Sequence, residues 1–223
     1  MVPPAFRPTA QHDWFQRSGR WFTRVTRAVA DLDLPEVLPL PDNRPVILAA
    51  NHRSLLDLAV AMAVFSRFGL SSRIQVRADL MEKGPGARLL HSIGAIPTST
   101  RHRESSERAS IEAVSAGHLL SLMPEGRLCR PDEWVRGVGP GRPGVSRIAL
   151  ATGAVVVPIG MSGTERVWPR GRPPRLQLPR PRVRVGVGAP VELASTNHAD
   201  NSQQVMEAIA DVLVHLYDPH AVT

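Results

Sequence analysis

Val46-Ile47-Leu48-Ala49-Ala50-Asn51-His52-Arg53-Ser54-Leu55-Leu56-Asp57 is the stretch that decides the fold of this 223-residue chain. Five small or branched apolar residues make a short run fit for a buried strand. The run stops at an amide and an imidazole, and Ser54 stands where it can cap a helix over Leu55 to about Phe68, with Gly69 as its stop. A buried strand, a polar corner and a helix form the repeating unit of an α/β layer fold, and polar residues at strand ends are where such folds carry their sites.

Working outward, the unit recurs. Ile74–Val76 and Gly94–Thr98 read as short strands, with a helical piece at Ala87–Ser92 between them. Glu104–Gly117 reads as a helix and His118–Met123 as a strand that ends at Pro124-Glu125-Gly126. A glycine-rich loop over 126–141 leads to a helix at 143–152 and to a strand at Ala154–Ile159 closed by Gly160. Val183–Val187 alternates as a partly exposed strand, and Gln203–Tyr217 carries an apolar helical stripe. The expectation is a mixed, largely parallel sheet flanked by helices.

Before this unit, residues 1–10 read as a flexible lead and Asp13 to about Ala30 as an amphipathic helix. Trp14, Trp21, Phe22, Val25 and Val29 share one side of it, and Arg17, Arg20, Arg24 and Arg27 lie mostly around the other. Such a helix either covers its own domain or lies in a bilayer interface. Prolines 35, 39, 41 and 45 mark a stiff connector. The chain therefore divides into an N-terminal helix and linker over 1–41 and one domain over 42–223.

Composition narrows the partners. Lys and Arg total 27 against 20 Asp and Glu, and Lys83 is the only lysine. A surplus of arginine suits an anionic partner: a membrane surface, a phosphate-bearing substrate or nucleic acid. Nucleic acid is not expected, because the aromatic residues needed for base stacking are few and cluster at the N-terminal helix. A single cysteine, Cys129, excludes an internal disulfide and a thiolate metal cluster. The histidines lack metal-ligand spacing, so no metal is expected. No run of about eighteen apolar residues and no signal-peptide core occurs.

The chemistry centres on His52 and Asp57. On one continuous helix, residues five apart point about 140° away from each other. Contact needs His52 on the loop and Asp57 in the first helical turns, leaning back. A carboxylate so placed fixes the imidazole tautomer and raises the basicity of the far nitrogen. The spacing alone is weak, since a helix N-terminal carboxylate beside a solvated loop histidine has the same pattern. Glu125, between Pro and Gly at a strand end, reads as an exposed carboxylate that holds substrate or a neighbouring arginine. Arg101, Arg103, Arg127 and Arg130 are candidate phosphate ligands. No Gly-x-Ser-x-Gly elbow or nucleotide-binding glycine motif is present.

These residues, in this order, resemble the glycerolipid acyltransferases, specifically the bacterial 1-acylglycerol-3-phosphate acyltransferases of the PlsC type. Asn51, His52, Ser54 and Asp57 match the first block, Asn-His-x-Ser-x-x-Asp. Arg77-Ala78-Asp79-Leu80 and Gly94-Ala95-Ile96-Pro97 resemble the second block and the element before it. Met123-Pro124-Glu125-Gly126-Arg127 resembles the third, and Arg142-Pro143-Gly144 with Val156-Val157-Pro158-Ile159 the fourth. The chain departs in having Thr100 where the second-block arginine stands, and Arg127-Leu128 where the third block has Thr-Arg. The long N-terminal membrane helix of many relatives is not expected in it.

The resemblance implies the glycerolipid acyltransferase fold and a one-step transfer without an acyl-enzyme. His52, supported by Asp57, would deprotonate an acceptor hydroxyl, which attacks the thioester of acyl-CoA or acyl carrier protein. Asn51, Arg53, Ser54, Arg101, Arg103, Glu125, Gly126 and Arg127 are the implied substrate-binding residues. Lysophosphatidic acid is the leading acceptor; glycerol 3-phosphate, another lysophospholipid or a non-lipid alcohol are the alternatives. No bound cofactor is implied. Peripheral contact with an anionic membrane, at the cytoplasmic face or from the cytoplasm, is the expected setting. A non-catalytic membrane-surface or nucleic-acid-binding protein is the competing class.

Overall fold

The computed structural model describes residues 10–217, so the lead read over residues 1–10 lies, but for Ala10, outside the described residues. Helix α1 (Ala10–Val29) is followed by strands β1 (Asp31–Asp33) and β2 (Val46–Ala50), helix α2 (Asp57–Arg67) and strand β3 (Arg73–Arg77). Then come α3 (Gly84–Ser92), β4 (Ile96–Thr98), α4 (Arg103–Ser115), β5 (Leu120–Leu122) and α5 (Gly144–Thr152). The chain closes with β6 (Val155–Ser162), the one-turn α6 (Thr164–Val167), β7 (Arg182–Val187) and α7 (His198–Tyr217).

The seven strands form one sheet in the order β1-β7-β6-β2-β5-β3-β4. All neighbours are parallel except β6 and β7. β2 lies at the centre, with Ile47 opposite both Leu120 of β5 and Val156 of β6. Its alternation divides the core. Val46 and Leu48 pack on the face covered by α1 and α2, while Ile47 and Ala49 pack with Val114 of α4, Ile148 of α5 and Ile209 and Leu213 of α7. A run buried on both faces has no polar face to show, which is why it reads as unbroken apolar sequence.

α1 belongs to the same core. Phe15 is buried with its ring edge-on to Phe65 of α2, centroids 5.7 Å apart. β1, within the segment read as a connector, is hydrogen-bonded alongside β7. Only Leu32 of its three residues is buried, too little alternation to announce a strand.

Several boundaries differ from expectation. β6 runs through Gly160 to Ser162, and all eight of its residues are buried. Gly160 is there because a Cβ would meet Val212 Cγ1 of α7 at 2.8 Å, so the glycine lets a helix lie close to the strand rather than ending it. α3 starts at Gly84, with Pro85 in its first turn, where a missing N–H costs nothing. α7 starts at His198, five residues early, after Asn197 Oδ1 accepts from Ala199 N at 2.9 Å.

Parallel β2 and β5 bring the ends at Asn51-His52 and Pro124-Glu125 to one edge of the sheet.

Candidate active site

The corner after β2 is built around one carboxylate oxygen. Asp57, the first residue of α2, is fully buried, and its Oδ2 accepts three hydrogen bonds: from Arg53 N at 2.7 Å, Ser54 N at 2.8 Å and His52 Nδ1 at 2.9 Å. The backbone of 53–54 wraps the helix start because the carboxylate satisfies two N–H groups there. Ser54 completes the corner: its Oγ accepts from Leu56 N at 3.0 Å and donates to Trp168 O at 2.8 Å. α2 therefore begins two residues later than the sequence suggests.

Because Asp57 accepts, His52 Nδ1 carries the proton, and Nε2 holds the lone pair. The His52 side chain is 21% exposed, so that lone pair belongs to a side chain open to solvent on a fixed ring.

Asn51 and Glu125 fasten the corner from two other sides. Asn51 Nδ2 donates to Met161 O at 2.9 Å and Oδ1 accepts from Met161 N at 2.7 Å, extending the β2–β6 pairing one residue past Ala50. Glu125 Oε2 accepts from His52 N at 2.5 Å and Oε1 from Gly139 N at 2.9 Å. This corrects the reading of Glu125 as an exposed substrate ligand: it is 1% exposed, and both oxygens are spent on backbone N–H groups. The covering piece is the loop around Gly139, where a Cβ would come within 2.3 Å of Cys129 Sγ and 3.4 Å of Glu125 Cγ. Burial pushes the Glu125 carboxyl up to about 7, against the pull of the Gly139 and His52 N–H groups.

Arg53 is likewise turned inward. Only 3% exposed, it donates from Nε and Nη2 to Gly137 O at 2.9 and 2.6 Å and from Nη1 to Tyr217 Oη at 2.7 Å, with its guanidinium carbon 4.7 Å from the Trp134 ring centroid. It ties the His52 corner to the 134–139 loop and the end of α7. Gly126 turns at φ +67, and a Cβ there would meet Arg142 Cδ at 2.9 Å. Exposed Arg142 thus lies across the Pro124-Glu125-Gly126 turn.

The candidate phosphate ligands are dispersed. Arg127 forms a two-pronged pair with Glu133, which raises the guanidinium pKa and lowers the Glu133 carboxyl to about 2. Arg130 pairs with Asp132, and Arg77 holds both oxygens of Asp79 at 2.7 and 2.6 Å. Arg101 and Arg103 are exposed before and at the start of α4, and among the described residues no ion pair joins either to the His52 corner. Gly139 and Tyr217 are site neighbours that the sequence did not announce, and Arg142 stood in it only as the first residue of the fourth block. A backbone N–H used as a carboxylate ligand carries no residue-type signal.

Next to the corner, between α2 and the sheet, lies an apolar recess. Ala50, Leu58, Phe65, Met123, Ile159 and Met161 line it. Ala50 and Met123 directly precede Asn51-His52 and Pro124-Glu125. Among the described residues no group of three His, Cys, Asp or Glu converges as for a metal.

The acyltransferase family model matches residues 34–162, more than half of the chain and the whole His52–Glu125 edge. The chain belongs to the acyltransferase family. This acyltransferase is 26% identical over 144 residues to the 1-acyl-sn-glycerol-3-phosphate acyltransferase BAT2, chloroplastic, of Brassica napus, over 63% of its own length. It spans 39% of the length of that relative. Its structure is similar to that of the 1-acyl-sn-glycerophosphate acyltransferase PlsC from Thermotoga maritima, with a TM-score of 0.72, at 20% identity, over 91% of this chain and 79% of the other. The fold of the acyltransferase is therefore the one its four sequence blocks implied.

Proposed function

We propose that this acyltransferase moves a fatty acyl group from acyl-CoA or acyl carrier protein to the free hydroxyl of 1-acylglycerol 3-phosphate. The observation that carries the chemistry is the His52 Nδ1 to Asp57 Oδ2 bond of 2.9 Å, with Oδ2 itself pinned by two backbone N–H groups. Nε2 then takes the acceptor hydroxyl proton as its oxygen attacks the thioester carbonyl. The tetrahedral intermediate collapses, the carbon–sulfur bond breaks, and the proton held on His52 passes to the departing thiolate. Ester and thiol are the products, and no acyl-enzyme forms. Asp57 stabilises the imidazolium between the two proton transfers.

The acceptor follows from the likeness to a relative named for acylglycerol phosphate. A non-lipid alcohol is the second reading of the acceptor. It is favoured by the engagement of Arg127 with Glu133, which takes up the arginine nearest the third-block position and withholds it from a phosphate.

Peripheral contact with the anionic cytoplasmic face of the cell membrane is the proposed setting. Trp14, Trp21 and Val25 are exposed along one stripe of α1, and Arg17, Arg20, Arg24 and Arg27 are exposed beside it. Among the described residues, no helix is long and apolar enough to cross a membrane.

The test is thiol release from one acyl-CoA across a panel of acceptors. Lysophosphatidic acid should give the highest kcat/KM. Release only with an acceptor lacking phosphate would contradict the proposal.

A further inference from the structure

The segment between α6 and β7 has no place in the chemistry above, yet it is the most exposed stretch among the described residues. Residues 170–180 are all exposed. Leu176 is 83% and Leu178 91% exposed, the two most exposed large apolar side chains of the described chain. Arg170, Arg172, Arg175 and Arg180 stand around them, and no acidic residue occurs from Arg166 to Val191. None of these four guanidinium groups has an ion-pair partner among the described residues.

The backbone beneath is tied down. Arg175 N donates to Val167 O at 2.7 Å and Arg172 N to Pro169 O at 3.1 Å. Gln177 Nε2 turns back to Arg166 O at 3.3 Å, which leaves the leucines on either side of it pointing out. Its place in the fold is specific as well. At one end Trp168 O accepts from Ser54 Oγ of the His52 corner; at the other Pro181 O accepts from Asp31 N, two residues after α1. Antiparallel β6 and β7 bring both ends to the sheet edge that carries His52 and Glu125.

We propose that residues 169–181 form a second membrane-docking element. Leu176 and Leu178 enter the headgroup boundary of an anionic bilayer, and Arg170, Arg172, Arg175 and Arg180 engage its phosphates. Exposed leucines set among unpaired arginines match an interface that is apolar beneath and anionic at its surface. Together with the exposed stripe of α1, which ends beside it, the loop would set the orientation: the His52 edge faces the layer where a lipid acceptor sits. This rests on the proposal that the enzyme works at a lipid surface.

The test uses the full chain with an environment-sensitive dye on Leu178→Cys, and on Leu150→Cys of α5 in the opposite layer as control; native Cys129 is buried. With vesicles of equal phosphatidylglycerol and phosphatidylcholine, the dye at 178 should shift to the blue and the dye at 150 should not. The double variant Arg172→Gln/Arg175→Gln should lose roughly 30-fold in vesicle affinity. Its thiol release with a dispersed short-chain acceptor should be unchanged. Protein that sediments with vesicles while the dye at 178 stays silent would overturn the docking loop alone. Protein that does not sediment would overturn the lipid-surface reading and the loop with it. Tighter binding of the arginine-bearing chain to a single-stranded oligonucleotide than to vesicles would also overturn it.

Discussion

His52 N donates to Glu125 Oε2 at 2.5 Å, so the residue proposed as base is held at its backbone by a second carboxylate, from a strand end 73 residues away in sequence. Asp57 sets the ring and Glu125 sets the chain that carries it. The two acids do different work at one histidine.

The stability of the fold should depend on pH through Glu125. The folded-state pKa of Glu125, about 7, lies above its ordinary value of 4.5 because burial disfavours the charge. The folded protein thus binds more protons than the unfolded chain between these values. The contribution of Glu125 to stability is fully present below pH 4.5 and is lost as pH rises to about 7, by up to roughly 3 kcal/mol. In urea unfolding, Glu125→Gln should flatten that part of the pH profile. A variant whose profile tracks the parent across the window would contradict it.

Arg53 gives a second prediction. Arg53→Met removes the donors that hold Gly137 O and Tyr217 Oη and should destabilise the fold by about 2–4 kcal/mol. Arg53→Lys should recover little, because an ammonium group cannot fork to one carbonyl and reach the tyrosine as well. Near-complete rescue by lysine would show that charge alone suffices.

The close approach of β6 and α7 gives a third. Gly160→Ala places a methyl 2.8 Å from Val212 Cγ1 and should cost about 1–3 kcal/mol. Val212→Ala in the same chain should relieve part of that strain, so the double variant is more stable than the sum of the single changes predicts. Strict additivity would place the contact elsewhere.

What was legible in the sequence was what depends on local pattern. The apolar run 46–50, the His52 to Asp57 spacing and the strand leading to Pro124 each declare themselves within a dozen residues. What was not legible depends on pieces distant in the chain. Glu125 sits in a turn-like Pro-Glu-Gly, and only the arrival of Gly139 buries it. Arg53 stands in a polar corner and reads as a substrate ligand; its carbonyl, phenol and indole partners lie at 137, 217 and 134. The sequence blocks that carry the likeness to the family include Asn51 and Ser54, whose side chains here hold Met161 and Trp168. Their hydrogen bonds fasten the corner, a duty that motif and spacing alone do not separate from holding substrate.

In the proposed reaction Asp57 fixes His52 as the general base. The most direct measurement is kcat for thiol release by Asp57→Asn, beside His52→Ala, with folding checked by urea midpoint. An asparagine can fill the same space, but it neither stabilises the imidazolium nor enforces the Nδ1–H tautomer. The rate should fall by roughly 10²–10⁴ with KM little changed, and His52→Ala should abolish turnover. A folded Asp57→Asn enzyme, or a folded His52→Ala enzyme, that turns over at the parent rate would contradict the account.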